Sequence, residues 1–373
     1  MQSAPKEIRR LILLLIVTLV IFLAGLSTSL IETLYVNGLY PVISGTLRFI
    51  SSLVPFPLGD FLYLLLILYI LWQVFLFCKK ILKKQVRRSD GLNAFVKCVN
   101  FILILYIAFK LLWGLNYSRL PIAGRLGIGN EKYDSKELLL LGKFLISKIN
   151  GLQEERAKSP AYKNIDYTPD VLQTKAVESY SLLASKDSFY RYKNPALKRV
   201  LNSYVITKIG LEGYYNPLSG EANVNMLLNS PNLPFVTCHE ISHQLGIARE
   251  DEANLVGYLV STSSNDLNFQ YSGIYCVLKN VLFEIAFSDP EEYKKLKETI
   301  NASTLADFKK DREFWRKYNN DMFGYMEVAL DQFLKLNSQK KGVDSYQDIV
   351  IWLYNYHIND LKQYNLKSKT LQP

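Results

Sequence analysis

Leu11–Ile31 is a run of 21 residues without a charge, opening on LILLLIVTLVIFLAG directly behind Arg9 and Arg10. A helix needs about 20 apolar residues to cross roughly 30 Å of hydrocarbon, so this run is long enough to span a bilayer. Phe61–Cys78 supplies 18 more uncharged residues, FLYLLLILYILWQVFLFC. Val99–Leu115 is a third candidate, apolar except for Lys110. That lysine lies near the C-terminal end of its run, where its stem can carry the ammonium to the interface. A cleaved signal peptide is the competing reading of the first run, but two further spans favour a retained anchor. Thr33–Gly59 is apolar too; Pro41, Pro55, Pro57 and Arg48 interrupt it, and it reads as an interfacial or short outer connection.

Charge orders these spans. The chain of 373 residues carries a net +10, and residues 1–114 alone hold +8 of it. The basic excess therefore belongs to the apolar part, and a nucleic-acid partner is not expected. Lys6, Arg9 and Arg10 precede span one, and only Arg48 lies between spans one and two. Seven basic residues separate spans two and three: Lys79, Lys80, Lys83, Lys84, Arg87, Arg88 and Lys97. By the positive-inside rule the N-terminus and second connection are cytoplasmic, and three crossings place everything after about Asn116 on the far side. The expected organisation is a three-span region over 1–115 and an outer domain over 116–373.

Within the outer domain, Ser135–Leu152 and Thr168–Ser185 have helical periodicity. Val205–Met226 is rich in β-branched and aromatic residues, with Asn-Pro-Leu-Ser-Gly between two runs, and predicts a hairpin. Asn223–Met226 is placed to offer an edge strand to an extended peptide. After Pro234 the pattern is helical almost throughout. The predicted fold is a mostly helical α+β domain with one small sheet behind three transmembrane helices. Cys238 and Cys276 can pair if their Cβ atoms approach, whereas Cys78 and Cys98 sit near the cytoplasmic span ends.

The chemistry is concentrated in His239-Glu240-Ile241-Ser242-His243. On a helix, positions 239 and 243 project from one face and can share one zinc ion. Glu240, about 100° further round, suits a general base acting on water activated by the metal. The chain has only three histidines, so two at this spacing around a glutamate form a specific signal. A catalytic site needs a third protein ligand, and Gly246 can end the first helix so that the chain turns back. Glu250, Asp251 and Glu252 compete for the role. Glu250 is preferred because it shares a helical face with Asn254, whose amide can hydrogen-bond a ligating histidine; Glu252 is the alternative. Donors available to stabilise an oxyanion are His357, Tyr214, Tyr215, Arg249 and Tyr346, and His357 itself suits a packing role. The charges within Thr237–Glu252 exclude a spanning segment, and with it an intramembrane protease.

HEISH followed by Glu-x-x-Ala-Asn resembles zinc metallopeptidases that use a glutamate as third ligand. The chain as a whole resembles an uncharacterised bacterial membrane family known as domain of unknown function 3810. That resemblance rests on Gly114–Tyr117, Gly213–Asn225 and Cys238–Leu259. The metallopeptidase resemblance implies a zincin-like site, with His239, His243 and Glu250 as zinc ligands and Glu240 as base. The expected protein is a multi-pass component of the bacterial inner membrane whose periplasmic domain is a zinc-dependent metallohydrolase, in contact with the lipid bilayer and acting on a peptide or protein. A non-catalytic binding or scaffold protein that keeps a zincin fold is the alternative.

Overall fold

The computed structural model describes residues 3–85, 88–158, 167–318, 321–337 and 348–370. The chain forms two compact units, Met1–Leu120 with Asn216–Glu221, and Pro121–Tyr215 with Ala222–Pro373.

In the first unit, helices α1 (Ser3–Gly25), α2 (Tyr40–Ser52), α3 (Leu58–Leu82) and α4 (Arg88–Leu112) follow one another. Lys6–Gly25, Leu58–Leu82 and Asp90–Leu112 are long and apolar enough to cross a membrane. Leu13, Leu65 and Phe95 are each more than 60% exposed on them, an apolar surface that hydrocarbon suits and water does not. α1 lies along α4. Lys110 occupies the last turn of α4, its Nζ 5.9 Å from the rings of Tyr106 and Phe109. The segment read as an interfacial or short outer connection is largely helical. A wide-turned helix over Ile31–Leu39 runs into α2, where Pro41 is tolerated in the first turn. Pro55 and Pro57 mark the break before α3.

The start of α3 is capped from far along the chain. The N–H groups of Leu58 and Gly59 donate to the two carboxylate oxygens of Glu221 at 2.9 and 2.8 Å. Ser219 Oγ adds a third bond to that carboxylate, at 2.7 Å. The first N–H groups of a helix have no partner inside it, and a carboxylate there also meets the positive end of the helix dipole. Glu221 is fully buried. Glu221→Ala is therefore expected to lower stability by about 1–3 kcal/mol, the cost of stranding buried donors. Thermal unfolding in detergent, together with faster amide exchange at Leu58 and Gly59, measures it.

The second unit is built on helices, with one small sheet. α5 (Ser135–Lys158) and α6 (Pro169–Ala184) match the periodicity of the sequence. Then come β1 (Leu197–Arg199), β2 (Gly213–Asn216) and β3 (Glu221–Val224), and the helices α7 (Leu233–Gln244), α8 (Glu250–Thr262) and α9 (Leu267–Ser288). Five more helices, α10 (Pro290–Glu298), α11 (Ala302–Tyr318), α12 (Asp321–Leu336), α13 (Ile349–Tyr356) and α14 (Ile358–Thr370), complete it. Leu141, Leu145 and Ile149 of α5 and Val277, Val281 and Ile285 of α9 form the middle of the core, none more than 1% exposed. α7, α8 and α9 pack on one another, and every residue of α7 is buried.

The hairpin forms where Asn-Pro-Leu-Ser-Gly predicts it, with Gly220 at φ +71 closing the turn. Two details differ from the sequence reading. Ser203–Lys208 is helical despite its β-branched residues, because the Asn202 side chain accepts from Val205 N–H and caps a helical turn. The strand order is β1-β3-β2, with β1 parallel to β3 and Leu197 paired to Ala222. Asn223 therefore lies in the middle strand, with partners on both sides, and offers no free edge. All four cysteines are free thiols, and Cys238 and Cys276 are buried and unpaired.

Candidate metal centre

Pro234 sits in the first turn of α7, where its missing N–H costs nothing, and the helix then carries His239, Glu240 and His243. Gly246, at φ +82, ends the run in a left-handed conformation that a side chain resists. The chain folds back so that Ile247 N–H donates to Ser242 O at 3.2 Å. The same reversal brings Ile247 C=O to 2.6 Å from His243 Nδ1. A carbonyl only accepts, so Nδ1 carries the proton and Nε2 is left to face inward. An outer hydrogen bond of this kind orients a metal-binding imidazole.

α8 then starts at Glu250 and packs on α7. His239 Nε2 and His243 Nε2 are 3.1 Å apart; Glu250 Oε2 is 3.3 Å from the first and 3.6 Å from the second. Ligands about 2.0–2.1 Å from a tetrahedral zinc lie roughly 3.3 Å from one another, so the three donors fit that ion. Two imidazole nitrogens at 3.1 Å also need a proton or a cation between them. Among the described residues this is the one group of three or more candidate ligands whose donor atoms all lie within 4.8 Å of one another.

The electrostatics agree. For His243, burial works against the charged form, but the Glu250 carboxylate outweighs it and lifts the pKa to about 9. For Glu250, burial raises the pKa, and the two histidines together carry it well below the usual carboxylate range. His239 is lowered, by burial first and by His243. The cluster attracts one positive charge and is too buried to leave it to solvent.

Glu240 lies beside this set. Burial pushes its pKa up to about 8, with His243 opposing and the Glu250 and Glu212 carboxylates adding to the rise. Its Oε2 is buried without a hydrogen-bond partner. A Cβ at Gly213, where β2 begins, would stand 2.7 Å from Glu240 Oε1, so the strand lies directly on this side chain. Glu212, the residue before it, is a nearby acid that the sequence reading missed. Only the turn residues around it hint at its position.

The remaining candidates have other occupations. Glu252 Oε1 accepts from Ile122 N–H at 2.9 Å and faces Arg249 Nη1 at 3.4 Å. Asp251 Oδ2 accepts from Trp352 Nε1 at 2.9 Å. Neither acid joins the two histidines. Asn254, one turn after Glu250, interacts with the His239 imidazole, although Nδ1 of that ring is buried without a hydrogen-bond partner. His357 is held between the Tyr258 hydroxyl and Asp360, both at 2.7 Å, as a packing histidine. Arg249 is drawn to Glu252, Tyr215 is buried in β2 beside the half-buried Tyr214, and Tyr346 lies outside the described residues.

The chain belongs to the family described as "Protein of unknown function (DUF3810)", whose match covers residues 35–354 and so includes every residue of the cluster. No curated protein and no solved structure matches it.

Proposed function

We propose that this chain is a membrane-anchored, zinc-dependent hydrolase of peptide bonds, with a zincin-like site in its second unit. His239, His243 and Glu250 hold the metal, and Glu240 is the general base. The observation that carries the reading is the convergence of three buried donors at 3.1–3.6 Å, close to the edges of a zinc tetrahedron, with a second acid, Glu240, alongside. A zinc ion held there supplies Lewis acidity, polarising a carbonyl and acidifying water. The chain's own residues do the rest. Glu240 takes the proton of the attacking water and returns it to the departing amine. The hydrogen bond from His243 Nδ1 to Ile247 C=O keeps Nε2 directed inward throughout. Burial raises the Glu240 pKa, so that its ionised carboxylate is a stronger base than an exposed one.

The flanking lysines and arginines support a cytoplasmic N-terminus and a second unit outside the cytoplasm of a bacterial inner membrane. The lipid bilayer and an extracytoplasmic peptide are then its partners, with no role for nucleic acid. One observation favours a second reading, a metal-stabilised scaffold without turnover: His239, His243, Glu240 and Glu250 are all below 10% exposed. Full-length protein in detergent, offered a mixture of unstructured peptides, separates the two. Cleavage should stop on chelation and return when zinc is restored. Cleavage indifferent to chelation, or none with zinc bound, defeats the hydrolase reading.

A further inference from the structure

Glycine in the middle of a helix weakens it relative to alanine, so Gly257 within α8 calls for an explanation. Its backbone conformation does not supply one. The glycines with positive φ are Gly127, Gly210, Gly220 and Gly246 among the described residues, and Gly257 is an ordinary helical residue. Its surroundings do. A Cβ built at position 257 would lie 3.3 Å from the backbone N of His239, 3.4 Å from its Cα and 3.4 Å from its Cβ. These are atoms of the α7 helix itself, not the far end of a side chain that could swing aside. α8 therefore rests backbone to backbone on the residue that carries the first imidazole.

Glu250, Asn254 and Gly257 are spaced i, i+4, i+7 and share one stripe of α8. Glu250 reaches His239 Nε2 and His243 Nε2 from the start of that stripe, Asn254 meets the His239 ring from its middle, and Gly257 meets the His239 backbone two turns on. The contact at Gly257 is therefore the point that fixes how far the Glu250 carboxylate stands from the two imidazoles. Metal–ligand distances tolerate errors of only about 0.2 Å. A side chain at 257 must push the helices apart by a few tenths of an ångström, and rigid helices pass that displacement to the ligand.

We propose that Gly257 is a positioning residue of the metal centre: by lacking a side chain it lets α8 close on the His239 backbone, which brings the Glu250 carboxylate within ligand distance of both imidazoles. The proposal rests on the metal reading given above.

The test uses full-length protein in detergent, Gly257→Ala beside wild type, with zinc affinity measured by competition against a chromophoric chelator. The visible spectrum of the cobalt-substituted protein is the second readout, and thermal unfolding of the metal-free protein the third. Gly257→Ala should weaken zinc binding at least tenfold and reduce the intensity of the tetrahedral cobalt bands. The metal-free protein should unfold at or somewhat below the wild-type temperature, since the packed helices must part. A purely structural glycine gives lower metal-free stability with unchanged affinity and spectrum, which overturns the proposal. If Gly257→Ala does not fold, Glu250→Asp withdraws the carboxylate by one methylene without disturbing the helix contact. It should weaken zinc binding by at least the same factor, and wild-type affinity there overturns the distance argument. Wild-type protein that takes up no zinc defeats the metal reading itself, a different result from zinc uptake that Gly257→Ala leaves unchanged.

Discussion

Full-length protein purified in detergent is expected to retain about one zinc ion per chain, and His243→Ala to abolish that retention. The loss should be large because the substitution removes a donor at 3.1 Å from its partner imidazole and leaves the Glu250 carboxylate buried with one fewer positive neighbour. Outer-sphere changes weaken metal sites by roughly 10–100-fold, and loss of one of three ligands should exceed that range. Thermal unfolding gives an independent reading. A ligand that binds only the folded state at 100 times its Kd stabilises by about 2.7 kcal/mol, so zinc should raise the wild-type midpoint and not that of the variant. Glu252→Gln serves as the contrast. Its carboxylate is committed to Ile122 N–H, so it should keep the metal. Stoichiometric zinc in His243→Ala would falsify the ligand assignment, and zinc lost from Glu252→Gln but kept in Glu250→Gln would move the third ligand.

Glu240→Gln carries the second large effect. The amide has the shape of the carboxylate but cannot accept a proton from water, and loss of a general base lowers turnover by roughly 10²–10⁴-fold. Zinc content should be unchanged, because Glu240 lies beside the cluster and not among its donors. Stability should hold or rise. The Oε2 being replaced has no hydrogen-bond partner, and burial already disfavours its charged form. Zinc-loaded Glu240→Gln that cleaves peptide at the wild-type rate assigns the proton transfer to another group.

What the sequence revealed and what it concealed follow from the range of the forces involved. The three candidate spans are legible because hydrocarbon demands a long apolar run, and the runs starting at residues 11, 61 and 99 supply one by length and composition. The two histidines are legible because i and i+4 share a helical face wherever the helix goes. Glu250 could be preferred over Glu252 for the same local reason, its shared face with Asn254. The hairpin is announced by Asn-Pro-Leu-Ser-Gly. By contrast, β1 is three residues, Leu-Lys-Arg, with no alternation to read, and its pairing with Ala222–Val224 puts β3 in the middle of the sheet. The helical turn at Ser203–Lys208 follows from one cap that outweighs β-branched propensity. Glu252 is engaged by a backbone N–H 130 residues away, and no local pattern encodes that.

The cap on α3 has a consequence for how the chain is made. Leu58 and Gly59 find their acceptor 163 and 162 residues later. At about 5–20 residues per second, translation leaves that helix start without its partner for roughly 10–30 s. During that interval the apolar segment has already left the ribosome, and insertion machinery or water must satisfy its leading amides. Capping of this helix start is thus a late event in biosynthesis, and chains truncated before residue 221 should be recognised by quality-control proteases although every apolar run is intact.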